Sequence, residues 1–334
     1  MTKQAIYGLL VSRTKNLGDD VQSLAAAQFL PRIDLFIDRD NPRVPSHLKN
    51  ELGDNTGIKV IMNGWYTLKP LSWIPDPMIK PLLVSFHIHP PLVDLFLRRN
   101  SVKEYLKRNG PIGTRDLYTY EILTKRDIAA FFSGCLTLTL DYKYTFDNMH
   151  EYIFVTDLNE KIVNTIKTFL NGKKIIVFSQ NLFRSTSESL LPDKVKKIIK
   201  RVLGEANYSL LSIVSYNLFD IHKEHATNFI ERLYLAEKFI SLIGQSQLVV
   251  TSRLHTALPA LAFRKPVVFV NDNISDPRFS GYRNFLYRFT SKNFAYFIKK
   301  VGLEDLTRVF DVIPNEDILS SLKRRLINIT TNFI

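Results

Sequence analysis

The sequence predicts an α/β fold made of two Rossmann-like halves that face each other across a cleft. Apolar, strand-like runs alternate with amphipathic segments almost throughout the 334 residues, and this alternation is typical of parallel sheets covered by helices. The alternation falls into two successive series of similar size. The chain is also long enough to build two cores of ordinary size. We therefore predict halves over residues 1–145 and 146–334, with a hinge near residues 141–151.

The first series begins with an apolar run at residues 5–11. This run is too short and too weakly flanked to be a signal peptide, so we interpret it as a strand. The predicted strands, which are rich in apolar residues, cover residues 5–11, 33–37, 58–62, 82–86 and 129–132. The clearest predicted helices lie between them, at residues 19–29, 102–109 and 116–125.

The second series begins near Tyr152 and ends with a strand, a helix and another strand. The last strand, at residues 267–270, is a continuous β-branched and aromatic run typical of a buried parallel strand. The predicted strands of this series are residues 152–155, 174–178, 209–214, 248–250 and 267–270. The predicted helices are residues 158–170, 194–203, 228–243 and 256–263.

Composition limits the compartment and the partners. The one cysteine, Cys135, excludes an intrachain disulfide and a cysteine-built zinc site, and it favours a cytosolic protein. No apolar run approaches the roughly 20 residues of a membrane-spanning helix. Much of the formal net charge of +13 lies on predicted helical faces. Such basic faces are usually only solvated, but they could also contact an anionic membrane surface or attract phosphorylated and lipid-linked substrates. No nucleic-acid-binding module is recognisable. The basic faces contain Lys194, Lys196, Lys197, Lys200 and Arg201, and later Lys323, Arg324 and Arg325.

The most informative motif is Ser252-Arg253-Leu254-His255, between the strand at residues 248–250 and the helix that follows. A strand that turns into a helix here places free backbone N–H groups and the positive end of the helix dipole at the tip of a sheet. Arg253 adds a forked donor for an anion, and His255 adds a group that titrates near neutral pH. The motif therefore predicts a catalytic pocket that binds an anion.

A second motif, residues 15–22, follows the first strand and opens the first helix. Gly18 permits a tight turn close to a ligand, Asn16 and Gln22 supply hydrogen-bonding amides, and Asp19 and Asp20 lie where the helix dipole stabilises acidic groups. Local sequence explains these residues equally well as a plain helix cap.

Two further strand ends carry polar or aromatic residues. Asn63 and Trp65 follow the third strand, where the indole suits the C–H face of a sugar or the core equally well. His87 and His89 follow the fourth strand, and strand alternation sends both to one side. No third metal ligand is nearby, so we expect hydrogen bonds to a substrate, or structural caps, rather than a metal site.

Two more arginines are candidates for anion binding. Arg115 precedes a capped helix, as Arg253 does in the other half, so the pair could clamp a small dianion or trianion from both sides. An ion pair with the neighbouring Asp116 is the alternative. Arg278, in Asp276-Pro277-Arg278-Phe279, lies after the last predicted strand and could reach the same cleft or the surface.

The pattern S-R-x-H, an alanine-rich helix and a basic-Pro-apolar strand resembles the polysaccharide pyruvyl transferase family. The resemblance extends from Asn16 to about Arg278 and includes an N-x-G-D type motif near Asn16 and an R-D motif at Arg115. Members of this family transfer pyruvate from phosphoenolpyruvate onto a sugar as a ketal. The resemblance implies a glycosyltransferase-B-like architecture with the acceptor on the first half and phosphoenolpyruvate on the second.

The implied reaction needs an acid for the methylene carbon, a base for the sugar hydroxyls and fixed positive charge for the carboxylate and phosphate. The resemblance implies Asp20, Arg253 and His255 as catalytic residues, with the neighbouring Asp19 as the alternative base. It implies a substrate-binding set of Asn16, Gly18, Asp19, Gln22, Asn63, Trp65, His87, Arg115, Ser252 and Arg278. Neither a metal nor a cofactor is required, because phosphoenolpyruvate is the donor co-substrate.

Two alternatives remain open. A glycosyltransferase that uses a nucleotide sugar has the same architecture, although the glutamate-containing motif of many such enzymes is missing near the end of the second half. A non-catalytic carbohydrate-binding protein is the other alternative, and the joint presence of Asp20, Arg115, Arg253 and His255 argues against it. The acceptor sugar, the hydroxyls that form the ketal and the oligomeric state are not encoded in local sequence.

Overall fold

Two parallel β-sheets, each covered by helices, form the two halves of the protein. The computed structural model describes residues 5–53, 56–66, 73–146, 150–170, 172–180, 223–301 and 308–334. Strands of the first sheet lie between residues 6 and 132, and strands of the second lie between residues 152 and 289. The fold is therefore the predicted α/β class, with two Rossmann-like halves in a glycosyltransferase-B-like arrangement, while the boundary at residues 145/146 stays a prediction.

The first sheet has the strand order β2-β1-β3-β4-β5-β6. Its strands are β1 (Ile6–Val11), β2 (Leu35–Asp38), β3 (Ile58–Trp65), β4 (Ile79–His87), β5 (Ile112–Thr114) and β6 (Ala130–Phe132). Its helices are α1 (Leu17–Ala27), α2 (Ser46–Leu52), α3 (Val93–Leu97), α4 (Asn100–Arg108) and α5 (Leu117–Thr124). All pairings are parallel. The strand order reverses between β1 and β3, which opens a crevice at the carboxyl ends of the strands.

The second sheet has the strand order β11-β10-β9-β7-β8 and is also parallel. Its strands are β7 (Tyr152–Thr156), β8 (Lys174–Phe178), β9 (Leu248–Thr251), β10 (Val267–Val270) and β11 (Tyr287–Phe289). The helices are α6 (Glu160–Phe169), α7 (Lys223–Gln245), α8 (Leu254–Ala262), α9 (Ser291–Lys300) and α10 (Glu316–Phe333). Here the order reverses between β7 and β9, so this sheet has its own crevice.

The predicted strands and helices agree with the structure to within a few residues wherever it describes them. The elements β5, β11, α2, α3, α9 and α10 had no predicted bounds. Four of them, β5, β11, α2 and α3, are three to seven residues long and carry little periodicity. The predicted helix at residues 194–203, with its basic face, and the predicted strand at residues 209–214 lie outside the described residues.

Helix α1 joins the two halves. All of its residues are buried, including the run Ala25, Ala26 and Ala27, whose small side chains let neighbouring helices approach closely. It packs on β1 of the first sheet and on α7 and α8 of the second half. One apolar core, which contains residues of both halves, surrounds it. The start of α1 is thereby fixed against the start of α8.

The last helix, α10, returns to the first half. Lys59 Nζ donates to the backbone oxygens of Phe333 at 3.0 Å and Ile334 at 2.9 Å. The guanidinium of Arg325 lies 4.3 Å from the ring centroid of Phe131, a cation–π contact. In the described part of the chain, every helix is too short or too polar to cross a bilayer.

Candidate active site

A cleft of about 290 Å³ lies where the carboxyl ends of the two sheets face each other. Its volume is close to the lower end of the range for small-molecule sites. Both halves contribute walls. The first half supplies Thr14, Asn16, Asp19, Trp65, His87, His89 and Arg115, and the second supplies Gln180, Ser252, Arg253, Leu254, His255, Asn271, Arg278 and Phe279.

Arg253 is held at the end of β9 by a carboxylate from the neighbouring strand. As the N-cap residue of α8, it receives support from Thr251, whose Oγ1 accepts its backbone N–H at 2.9 Å. Its Nε donates to Asp157 Oδ2 at 2.8 Å. Asp157 in turn accepts from Ser179 Oγ at 2.6 Å and from the backbone N–H of Gln180 at 3.1 Å. The guanidinium is thus oriented before any ligand arrives, and sequence reasoning missed Asp157.

Arg115 and Arg278 bring two more guanidinium groups to the cleft. Arg115 is 4% exposed and donates from Nη1 to Gln22 Oε1 at 3.4 Å. Arg278 forms a forked pair with Asp276, with a shortest distance of 2.6 Å between Nη2 and Oδ2. Among the described lining residues, three are arginines and one, Asp19, is acidic. The cleft therefore favours an anion.

His255 lies in the first turn of α8, against the start of α1. A Cβ atom added to Gly18 would lie 3.0 Å from His255 Nδ1 and 2.9 Å from Gln180 Oε1. Glycine at this position lets the two halves approach at the cleft. Burial, and after it the positive charge of Arg115, lowers the pKa of His255 to about 3. The imidazole of His255 is therefore neutral at pH 7.

His87 ends β4 and forms a tight pair with Asp116, the N-cap residue of α5. The distance between His87 Nδ1 and Asp116 Oδ2 is 2.6 Å. Burial, and after it the charge of Arg115, lowers the pKa of His87 to about 4 despite this carboxylate. Burial by itself would raise the pKa of Asp116, but His87 and Arg115 outweigh it and lower that pKa. The sequence motif at Arg115 pointed to Asp116 only as a local ion-pair partner.

Several buried polar atoms of the cleft wall have no hydrogen-bond partner among the described residues. They are Trp65 Nε1, His87 Nε2, Arg115 Nε and His255 Nε2. Leaving a buried polar group unpaired costs about 1–3 kcal/mol, and native proteins rarely do so without reason. Four such atoms around one cationic cleft indicate a site whose polar groups are completed by a ligand.

The two neighbouring aspartates of α1, Asp19 and Asp20, face different parts of the protein. Asp19 lines the cleft and accepts from Thr14 Oγ1 at 2.5 Å and from Gln22 Nε2 at 3.0 Å, and Arg39 lies 3.3 Å away. Burial would raise the pKa of Asp19, but Arg39, Thr14 and the other nearby cations lower it overall. Asp20 points to α7, where Arg232 donates from Nε to Asp20 Oδ1 at 3.1 Å and from Nη2 to Asp20 Oδ2 at 2.7 Å.

Some of the remaining predicted residues line the cleft, and others lie behind its wall. Asn16 lines the cleft and caps α1 by accepting from the backbone N–H of Gly18 at 3.1 Å, and Ser252 lines the opposite wall. Gln22 and Asn63 lie behind the wall, where Asn63 Nδ2 donates to the backbone oxygen of Gln22 at 2.8 Å. These two residues support the cleft without lining it. Cys135 is fully buried, and burial raises the pKa of its thiol.

A family model described as polysaccharide pyruvyl transferase matches residues 16–273. Among solved structures, the chain is similar to a UDP-N-acetylglucosamine 2-epimerase, with 11% identity and a TM-score of 0.49 over 98% of this chain and 95% of that chain. The chain is also similar to the UDP-GlcNAc 2-epimerase of Methanocaldococcus jannaschii, with 11% identity and a TM-score of 0.45 over 98% of this chain and 99% of that chain. A third similar structure is that of the wall teichoic acid polymerase TagF, with 9% identity and a TM-score of 0.40 over 98% of this chain and 89% of that chain. The comparison with curated proteins gives no match.

Proposed function

The chain belongs to the polysaccharide pyruvyl transferase family, and from this premise we propose that it transfers pyruvate from phosphoenolpyruvate onto two hydroxyls of one sugar as a cyclic ketal. The observation that carries the proposal is the convergence of Arg115, Arg253 and Arg278 on one small cleft between the halves. Phosphoenolpyruvate carries a carboxylate and a phosphate, and each of them accepts a forked guanidinium. The charge of the donor therefore complements the arginines of this cleft.

The proposed reaction balances without a metal or a cofactor. A proton adds to the methylene carbon of phosphoenolpyruvate, which makes the central carbon electrophilic. One sugar hydroxyl adds to that carbon and loses its proton. The C–O bond to phosphate then breaks, and phosphate leaves with the electron pair. A second hydroxyl of the same sugar adds and loses its proton, so two protons are released, one for the new methyl group and one for the phosphate.

His255 is the proposed acid for the methylene carbon or the departing phosphate. Its pKa of about 3 reflects burial and the charge of Arg115. A bound trianion opposes that positive charge and raises the pKa of His255. The imidazole can therefore take up a proton when the donor binds and hold it close to the reacting atoms.

The acceptor is proposed to enter along the first half. The indole of Trp65 and the imidazole of His89 meet edge to face, with centroids 5.4 Å apart, at one side of the cleft. An aromatic face suits the C–H face of a sugar ring. The cytoplasmic location, the lipid-linked acceptor and a peripheral contact with the inner face of an anionic membrane are parts of the same proposal. The location rests on the single cysteine, and the other two rest on the basic charge of the chain.

Thermal unfolding with candidate donors tests the proposal. Phosphoenolpyruvate at one hundred times its Kd should add about 2.7 kcal/mol of stability, because it binds only the folded protein. Pyruvate, inorganic phosphate and a set of nucleoside diphosphates are run beside it. Stabilisation by a nucleoside diphosphate and none by phosphoenolpyruvate would favour a nucleotide-sugar glycosyltransferase. Binding of phosphoenolpyruvate without turnover over a panel of sugars would favour a non-catalytic protein.

Asp20 is expected to act on stability and not on donor binding. Burial raises the pKa of Asp20 to about 6 although Arg232 opposes this, and such a pKa would suit a general base. The position does not, because Asp20 is absent from the cleft lining among the described residues. The substitution Asp20→Ala leaves Arg232 buried and unpaired, so we expect a loss of about 3–5 kcal/mol.

Urea unfolding measures this loss, and calorimetric titration measures the Kd for phosphoenolpyruvate. Asp94→Ala, at a side chain that is 72% exposed, is the matched control and should change neither quantity. A stable Asp20→Ala protein that binds phosphoenolpyruvate much more weakly would contradict the separation of the two aspartates.

A further inference from the structure

The proposed reaction needs a base for the acceptor hydroxyl, and the aspartates of α1 are poorly suited to that role. Both oxygens of Asp19 already accept, from Thr14 and from Gln22, and Arg39 holds an ionised carboxylate there. A carboxylate with a lowered pKa is a weak base. Asp20 is held by Arg232, away from the cleft. The base therefore has to come from another element.

We propose that His87 is the general base for the acceptor hydroxyl and that Asp116 is a positioning residue that fixes the tautomer of its imidazole. This inference rests on the pyruvyl transfer proposed above. As the hydroxyl oxygen bonds to the central carbon of phosphoenolpyruvate, the hydroxyl proton passes to His87 Nε2. That proton goes on to the phosphate, which leaves with the electron pair of its C–O bond.

The geometry around His87 supports this division of roles. Asp116 Oδ1 accepts the backbone N–H of Thr119 at 2.8 Å, so the cap of α5 fixes the carboxylate. Asp116 Oδ2 lies 2.6 Å from His87 Nδ1. An ionised carboxylate at that distance requires a proton on Nδ1, which leaves a lone pair on Nε2. Nε2 is buried and has no partner among the described residues, and His87 belongs to the cleft wall.

The charges that face His87 keep its imidazole neutral, and a bound trianion that opposes Arg115 and Arg278 raises its pKa, so that it becomes a stronger base when the donor binds. Burial lowers the pKa of His87 most, Arg115 and Arg278 lower it further, and Asp116 raises it, so that the pKa is about 4. Asp276 also lies within electrostatic reach. His87 has no solvent-exposed surface. Bulk water therefore does not contact this imidazole, and neighbouring side chains have to move before an acceptor hydroxyl reaches Nε2.

The experiment compares the full-length protein with His87→Gln and Asp116→Asn. Asparagine is as good an N-cap as aspartate, so the second variant should fold. Phosphate release from phosphoenolpyruvate is followed with a panel of p-nitrophenyl glycosides that carry free 4,6- or 3,4-diols. We expect kcat to fall by about 10²–10⁴-fold in both variants, with the Kd for phosphoenolpyruvate unchanged. The acid limb of the kcat profile of the unchanged protein, where His87 becomes protonated, should disappear in His87→Gln.

Matched controls are His47→Gln and Asp94→Asn, both at exposed side chains, which should keep the full rate. Unchanged kcat in His87→Gln would overturn the proposal. Weaker binding of phosphoenolpyruvate at an unchanged kcat would also overturn it, because His87 would then only support Arg115. Failure of the unchanged protein to bind phosphoenolpyruvate would instead reject the proposed function.

A second readout needs no acceptor. The ¹⁵N chemical shifts of the His87 imidazole report which nitrogen carries the proton. Protonated Nδ1 and unprotonated Nε2 at pH 7, reversed by Asp116→Asn, would support the proposal, since the amide of the new side chain can donate to Nδ1. A proton on Nε2 in the unchanged protein would overturn it even if no glycoside in the panel is an acceptor.

Discussion

Arg253→Ala is expected to remove most of the stabilisation that phosphoenolpyruvate gives to the protein. Arg253 is the forked donor at the start of α8, and Asp157 orients it at 2.8 Å. Its side chain is 36% exposed. The loss of binding free energy for phosphoenolpyruvate should therefore fall at the lower end of the range for removing one partner of a charged pair, about 2–3 kcal/mol. That loss weakens the Kd by about 30-fold or more. Thermal shift and calorimetric titration measure it directly.

The fold should tolerate this change because Asp157 keeps its two other donors, Ser179 Oγ and the backbone N–H of Gln180. Arg253→Lys keeps the charge and loses the fork, so we expect an intermediate Kd. Arg264→Ala is the matched control, since Arg264 is 71% exposed and pairs with Glu316. Full stabilisation of Arg253→Ala by phosphoenolpyruvate would place the donor outside this cleft.

His255→Gln is expected to lower kcat by about 10²–10⁴-fold, the usual contribution of a positioned acid. Binding of the donor should remain, because the three arginines supply the positive charge. The measurement is steady-state phosphate release together with the Kd for phosphoenolpyruvate. An unchanged kcat would remove His255 from the chemistry.

Proton uptake gives a second test of His255. Its pKa is about 3, so the imidazole is unprotonated at pH 6 before an anion binds. A bound anion raises this pKa, so binding takes up a proton and becomes tighter as the pH falls toward 6. Calorimetric titration in buffers of different ionisation enthalpy counts the protons. The uptake should shrink in His255→Gln and persist in His47→Gln, and proton release on binding would contradict this role.

Much of the fold could be predicted from local patterns. Runs such as Val267–Val270 are continuous and apolar, and they became central strands of a parallel sheet. The turn from β9 into α8 was visible as small polar residues before an alanine-rich helix. Strand β5 was missed because three residues, one of them Gly113, have no readable period.

The candidate site could be predicted in part. Residues at strand ends, such as Arg253, His255, Trp65 and Arg115, do line one cleft, because the carboxyl ends of parallel strands meet at one edge of each sheet. Gln22 and Asn63 were polar residues at equally suitable positions, but they form hydrogen bonds behind the wall. Local sequence cannot separate these two outcomes.

By itself, the sequence determined most of the segments that become strands and helices and which strand ends carry charged and polar side chains, because hydrophobic period and cap residues act over a few positions. Only the tertiary structure decided which side chains work together. Asp19 and Asp20 are neighbours, but successive helical residues point about 100° apart, and the packing of α7 against α1 gives one to the cleft and the other to Arg232. The pairs His87 with Asp116 and Arg253 with Asp157 join residues 29 and 96 positions apart. Contacts of that separation are set by how the sheets and helices pack, which no local pattern specifies.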